Sequence, residues 1–144
     1  MGIDISFLKD IFGDTVPILP EIIMIIGALI SPAVYIASKK RIVPSIVNVL
    51  LIFVSIIINV ILLTADGGFF VGTTEDLFEY NAFSGLMILL FQIVALMVVF
   101  VSGSSKEVTT IHFGEYSSLL LIAAVGMMFV VEALDLVAIF VGVE

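Results

Sequence analysis

The sequence predicts an all-α integral membrane protein with four complete transmembrane helices and the first half of a fifth. Three observations carry that prediction. Hydrophobic residues make up 62% of the 144 positions and charged residues only 12%, with a mean hydropathy of +1.36. Soluble domains carry about twice that share of charge. Four apolar windows follow one another, three of them long enough at about 1.5 Å per residue to cross a ~30 Å hydrocarbon core and the fourth long enough with its flanks. The polar residues fall between these windows or recur at helical spacing within them.

The first window runs from about Ile18 to Ser38. Pro20 suits the first turn of a helix, and Glu21 beside it favours the positive end of the helix dipole. Ser31-Pro32 predicts a kink, and Lys39-Lys40-Arg41 ends the segment. The second window, Ile42 to Ala65, has no charge and stops at Asp66-Gly67-Gly68. An acidic loop with Glu75, Asp76 and Glu79 follows to about Tyr80, and Phe69-Phe70-Val71 between glycines fits a short interfacial hairpin. The third window, about Asn81 to Gly103, closes on Ser104, Ser105, Lys106 and Glu107. The fourth, about Tyr116 to Val131, lies between Glu115 and Glu132 and is short enough to need its flanks. A fifth begins at Asp135 and reaches only Glu144. All of this reads as one membrane domain over residues 1–144.

Composition excludes several functions. With no cysteine, the chain holds no disulfide, thiolate nucleophile or Cys-ligated metal, and the lone His112 is too little for a histidine metal cluster. A net charge of -8 argues against nucleic acid, which needs a basic footprint. Met1 to Pro17 sets Lys9 against three aspartates and lacks the basic start of a signal peptide. No phosphate-binding glycine loop, Ser/His/Asp set or paired-histidine spacing occurs. No metal and no cofactor is expected in this chain; its expected surroundings are the lipid bilayer and other membrane subunits.

Orientation follows from basic residues in short loops. Lys39, Lys40, Arg41 and Lys106 lie in the first and third loops, and the second and fourth loops have none. The odd loops are therefore expected on the cytoplasmic side of the cell membrane, with the N-terminus outside.

Within the spans, Asn48, Ser55 and Asn59 fall within about 40° of one another on a helix, and Gly85, Gln92 and Gly103 align in the same way. Small residues and amides in such stripes pack helices together; lining of a hydrated path is the alternative. Glu21 is expected to complement the dipole or face the interface, and Glu132 to be an ordinary boundary charge. His112 and Glu115 are expected to be solvated at the cytoplasmic edge, with a proton relay as the alternative. Asp135 is placed to cap the fifth helix through its carboxylate. The methionines, including Met127-Met128, read as lipid- or bundle-facing filler.

Glu144 is the residue to which depth gives a cost. It stands about 14 Å along a helix from Asp135, near the midplane of the membrane. A carboxylate at that depth usually belongs to a proton or ion path. The alternative is a helix end made by truncation, with the carboxylate drifting to water. A terminus at that depth would leave a turn of carbonyls unsatisfied, so the chain is expected to be the N-terminal piece of a longer membrane protein.

The stretch F-G-E-Y-S-S-L-L-L-I-A-A-V-G-M-M from Phe113 to Met128, followed by E-A-L-D-L-V-A-I-F-V-G-V-E, resembles the antiporter-like proton-pumping subunits of respiratory complex I. The likeness is to the N-type subunit of NADH-quinone oxidoreductase and of coenzyme F420H2 dehydrogenase. Asp135 and Glu144 keep the family's interval between an Asp-Leu and a Gly-x-Glu, and P-E-I-I-M-I-I-G-A-L-I from Pro20 resembles its first helix. The resemblance spans about Pro20 to Glu144 and is most specific from Phe113 onward. It implies a bundle of roughly fourteen helices with two inverted five-helix repeats. It also implies that Glu144 serves proton translocation opposite a lysine on the seventh helix, whose protonation would follow the separation of the pair.

That lysine lies beyond this chain, so residues 1–144 alone are not expected to pump. The acidic second loop departs from the family pattern. The function expected is that of a non-redox, proton-translocating membrane subunit of a complex-I-like NADH or F420H2:quinone oxidoreductase, with nucleotide, flavin and iron–sulfur clusters on other subunits. The alternatives are a subunit of a multi-subunit sodium/proton antiporter and a small membrane scaffold or assembly protein without transport activity.

Overall fold

The structure is a computed structural model, and it describes residues 16, 18–38, 40, 42–64, 72–74, 78–104 and 113–144. Five helices and a two-stranded hairpin are present among them. Helix α1 spans Leu19–Ser38 and α2 spans Ile42–Thr64. The strands β1 (Gly72–Thr74) and β2 (Phe78–Tyr80) follow, then α3 (Ala82–Ser104), α4 (Phe113–Glu132) and the short α5 (Leu136–Val143). The long helices form because uninterrupted apolar runs leave the backbone no partner but itself in lipid. Four segments, Leu19–Ser38, Ile42–Thr64, Ala82–Gly103 and Gly114–Glu132, are each long and apolar enough to cross a membrane. The fourth therefore does use its flanks, starting three residues before Tyr116.

The four long helices run up and down in a closed ring. α1 packs on α2 and α4, α2 packs on α3, and α3 returns to α4, which also carries α5. The interior is unlike that of a soluble bundle. Met24, Ile52, Leu62, Ile88, Leu121 and Met128 are buried beside Glu21, Ser31, Asn48, Ser55, Asn59, Gln92, Ser117 and Glu132. Leu29, Ile36, Phe53, Phe100 and Leu119 face outward. An apolar exterior around polar interior groups is the arrangement that hydrocarbon surroundings favour, since every buried polar group there must find a partner inside the protein.

Local sequence sets the helix ends. Asn81 and Ser84 cap α3 reciprocally: the Ser84 N–H donates to Asn81 Oδ1 at 3.0 Å, and the Asn81 N–H donates to Ser84 Oγ at 2.8 Å. Two orphan donors are satisfied by that exchange. α1 continues through Pro32 to Ser38. Gly114 permits the close crossing there, because a Cβ on it would lie 2.8 Å from Tyr35 Cβ and 3.0 Å from Pro32 Cα.

The hairpin lies next to the expected one. Its antiparallel register pairs Gly72 with Tyr80, Thr73 with Glu79 and Thr74 with Phe78, while Phe69-Phe70-Val71 lies outside the described residues. Strand β2 leads straight into α3 and touches α3 and α4. This carries Tyr80 beneath the end of the bundle, where it is fully buried.

Candidate functional site

Polar side chains inside the ring form two hydrogen-bonded groups, one toward each end. The first lies where α1 and α3 begin and α2 and α4 end. Tyr80 Oη donates to Asn59 Oδ1 at 2.5 Å. Asn59 Nδ2 donates to the Gly85 carbonyl at 3.1 Å and to Gln92 Oε1 at 3.3 Å. Gln92 Nε2 donates to Ser55 Oγ at 2.8 Å, and Ser55 Oγ donates to the Pro20 carbonyl at 2.8 Å. The chain of bonds thus crosses from β2 through α2 and α3 to α1, ending one residue before Glu21.

Gly85 makes room for this network: a Cβ there would lie 2.5 Å from Tyr80 Oη and 2.7 Å from Leu63 Cδ2. The second group joins α1, α2 and α4. Asn48 Nδ2 donates to Ser31 Oγ at 3.1 Å, Ser31 Oγ pairs with Ser117 Oγ, and Ser117 Oγ donates to the Gly114 carbonyl at 3.2 Å. On the flank of the ring, Ser102 Oγ donates to Tyr116 Oη at 3.2 Å. The stripe Asn48, Ser55 and Asn59 therefore binds helix to helix at both levels, as does Gln92. Gly103 packs close to Ser45, whose Oγ a Cβ would approach to 2.6 Å.

Two carboxylates depart from the sequence expectation. Glu21 does occupy the first turn of α1, where the dipole favours it, but it is 0% exposed rather than at the interface. Glu132, expected as a boundary charge, is 1% exposed at the end of α4. Among the described residues neither carboxylate has a hydrogen-bond partner; the backbone N–H near the Glu21 carboxylate is its own, outside hydrogen-bonding geometry. The two charges act on each other and both act on Tyr80. The physical reason is packing: α1 and α4 lie side by side, and the hairpin covers the end at which both glutamates stand. Burial pushes the Tyr80 phenol well above its ordinary value, and the negative charges of Glu132 and Glu21 push it further.

Asp135 occupies the N-cap position of α5 with an extended backbone, but its carboxylate caps no N–H group. The expected side-chain cap is corrected on this point. Its contribution is the backbone carbonyl, which accepts the Ile139 N–H at 3.1 Å; the exposed side chain is left to the bundle end.

Glu144 is exposed at the end of α5, its N–H bonded to the Phe140 carbonyl at 3.1 Å. α5 folds back along α4 on a glycine contact: a Cβ on Gly126 would lie 2.5 Å from the Gly142 carbonyl oxygen. Gly126 stands six residues, about 9 Å, inside the end of α4, so Glu144 lies alongside the middle of that helix. It borders an open apolar groove of about 830 Å³ whose walls include Ile25, Phe91, Gly126, Val130 and Gly142. The structure brings Glu144 together with neither Glu21 nor Glu132 in any hydrogen bond. Glu115 is exposed in the first turn of α4, Met128 is buried and Met127 faces outward, and His112 lies outside the described residues. Among the described residues no group of three His, Cys, Asp or Glu side chains is arranged to hold a metal ion.

Helices, apolar exterior and polar interior together define a multi-pass α-helical membrane protein. Within that class the chain resembles subunit N of NADH-quinone oxidoreductase. It is 40% identical over 55 residues to NADH-quinone oxidoreductase subunit N 2 of Solibacter usitatus, covering 38% of this chain and 11% of that protein. It is 34% identical over 70 residues to NADH-quinone oxidoreductase subunit N of Desulfitobacterium hafniense, covering 49% of this chain and 14% of that protein. The matches thus span about an eighth of the length of these relatives. No family model matches the chain, and no solved structure matches it.

Proposed function

We infer that the chain is part of the N-type membrane subunit of a complex-I-like quinone oxidoreductase, contributing Glu144 to proton translocation across the cell membrane. The observation that carries this reading is the likeness to two proteins named as subunit N, in a chain whose last helix ends in Gly-Val-Glu. The position of Glu144 alongside the middle of α4 supports it, because a carboxylate near the membrane midplane serves proton or ion movement far more often than structure. On this reading Glu144 exchanges its influence on a lysine of another helix, holding that lysine charged when close and releasing its proton when distant. Electron transfer from NADH or F420H2 to quinone then belongs to other subunits, and the four spans run with the N-terminus outside, as the basic loops direct.

The test is Glu144→Gln in the full-length subunit within its complex. Gln keeps the shape and removes the charge, so the complex assembles and proton transfer is lost. Pumping at the wild-type rate in that variant would overturn the assignment.

A further inference from the structure

We propose that Glu21 and Glu132, brought together at one end of the bundle by α1, α4 and the β1–β2 hairpin, form a buried proton-binding site distinct from Glu144. The site rests on the packing of this chain and not on its resemblance to any family. Both carboxyl groups are closed off from solvent, and among the described residues none of their four oxygens has a hydrogen-bond partner. Two ionised carboxylates in that state would each bear the full cost of lost hydration and repel one another besides. The pair is relieved by a proton: one carboxylate oxygen takes it up, becomes an O–H group, and the negative charge of the site drops from two to one.

The surroundings favour a proton over a metal cation. From the hairpin the pair is faced by Tyr80, whose phenol already donates to Asn59 Oδ1. From α2 and α3 it is approached by the uncharged Ser55, Asn59 and Gln92, all engaged with one another or with the Pro20 carbonyl. Among the described residues the other titratable groups at this end are Glu79, half-buried, and Asp135, exposed; both carry the same sign as the pair. Calcium collects six to eight oxygen ligands and magnesium six. Among the described residues, four carboxylate oxygens and one phenol committed elsewhere fall short of either.

The experiment is infrared spectroscopy of the full-length chain in lipid at neutral pH, reading the C=O stretch of protonated carboxyl groups. Glutamate labelled with carbon-13 at the side-chain carboxyl identifies the band, and heavy water shifts it. A glutamic acid band is expected in the wild type. The double replacement E21Q/E132Q leaves no carboxyl to carry the proton and removes the contribution of the pair entirely.

An unchanged band in the double variant overturns the proposal. If either replacement prevents folding, the labelled E144Q variant decides, because a band that survives there does not come from Glu144. Absence of any protonated glutamic acid band at neutral pH, or its suppression by sodium ions, overturns the proposal. None of these outcomes depends on Glu144, so the pair and the pump reading stand or fall separately.

Discussion

Replacing Asn59 by alanine removes the centre of the polar network without touching a charge. Three hydrogen bonds are lost, those to Gly85, Gln92 and Tyr80. At an average of ~0.6 kcal/mol for an interhelical hydrogen bond in lipid, the three together contribute about 2 kcal/mol. Tyr80 Oη keeps a second acceptor in the Asn59 backbone carbonyl at 3.3 Å, and the Gly85 carbonyl is within a helix. Gln92 Oε1 is left buried without a donor, which costs ~1–3 kcal/mol. The expected destabilisation is therefore about 3–5 kcal/mol, between a hundred- and a few-thousandfold in the unfolding equilibrium.

The assay is reversible unfolding of the full-length chain in lipid bicelles. Ile57→Ala on the same helix is the control. Ile57 is 45% exposed on the outer face, where lipid replaces what the side chain loses. A double-mutant cycle with Gln92→Ala reads the shared bond together with the cost of stranding Gln92 Oε1, and a coupling of about 2–4 kcal/mol is expected. If Asn59→Ala costs no more than Ile57→Ala, the network does not hold the helices together and the reasoning fails.

Gly126→Ala places a methyl group 2.5 Å from the Gly142 carbonyl oxygen. Backbone cannot swing aside as a side chain can, so α5 must lift from α4; faster amide hydrogen exchange over Leu136–Val143, with α1 to α3 unchanged, is the expected result. In alkaline titration followed by tyrosinate absorbance, Tyr80 should fail to ionise near the ordinary value of ~10, and Tyr80→Phe should remove that late component. The sign for stability follows from the raised folded-state value. Tyr80 imposes no loss below the unfolded value near ~10, and the folded state loses stability as pH rises beyond it, because it then holds a proton that the unfolded chain gives up. Together with Glu144→Gln and the infrared test of the Glu21–Glu132 pair, these measurements probe each end of the bundle separately.

The helices were legible in the sequence because lipid leaves little choice. An apolar run without charge must satisfy its own backbone, so Ile42 to Ala65 reads as a span and α2 covers Ile42–Thr64. The face on which Asn48, Ser55 and Asn59 stand was legible as well, because 100° per residue is fixed by the helix itself. The ends were less so: Asp135 marks the start of α5, yet its carboxylate takes no part in the cap, since capping depends on a side-chain rotamer that spacing does not determine.

Tyr80 gave no signal. It closes an acidic loop, and nothing local distinguishes it from an exposed residue; β2 and the space left by Gly85 decide its burial. A glutamate beside a helix end likewise looks the same whether water or another helix lies next to it. The sequence by itself determined a membrane protein of four spans, where they lie, and which faces carry amides. Only the tertiary structure decided that Glu21 and Glu132, from opposite ends of the chain, are both buried at the end of the bundle where Tyr80 lies, because hydration is lost only when other elements close around a group.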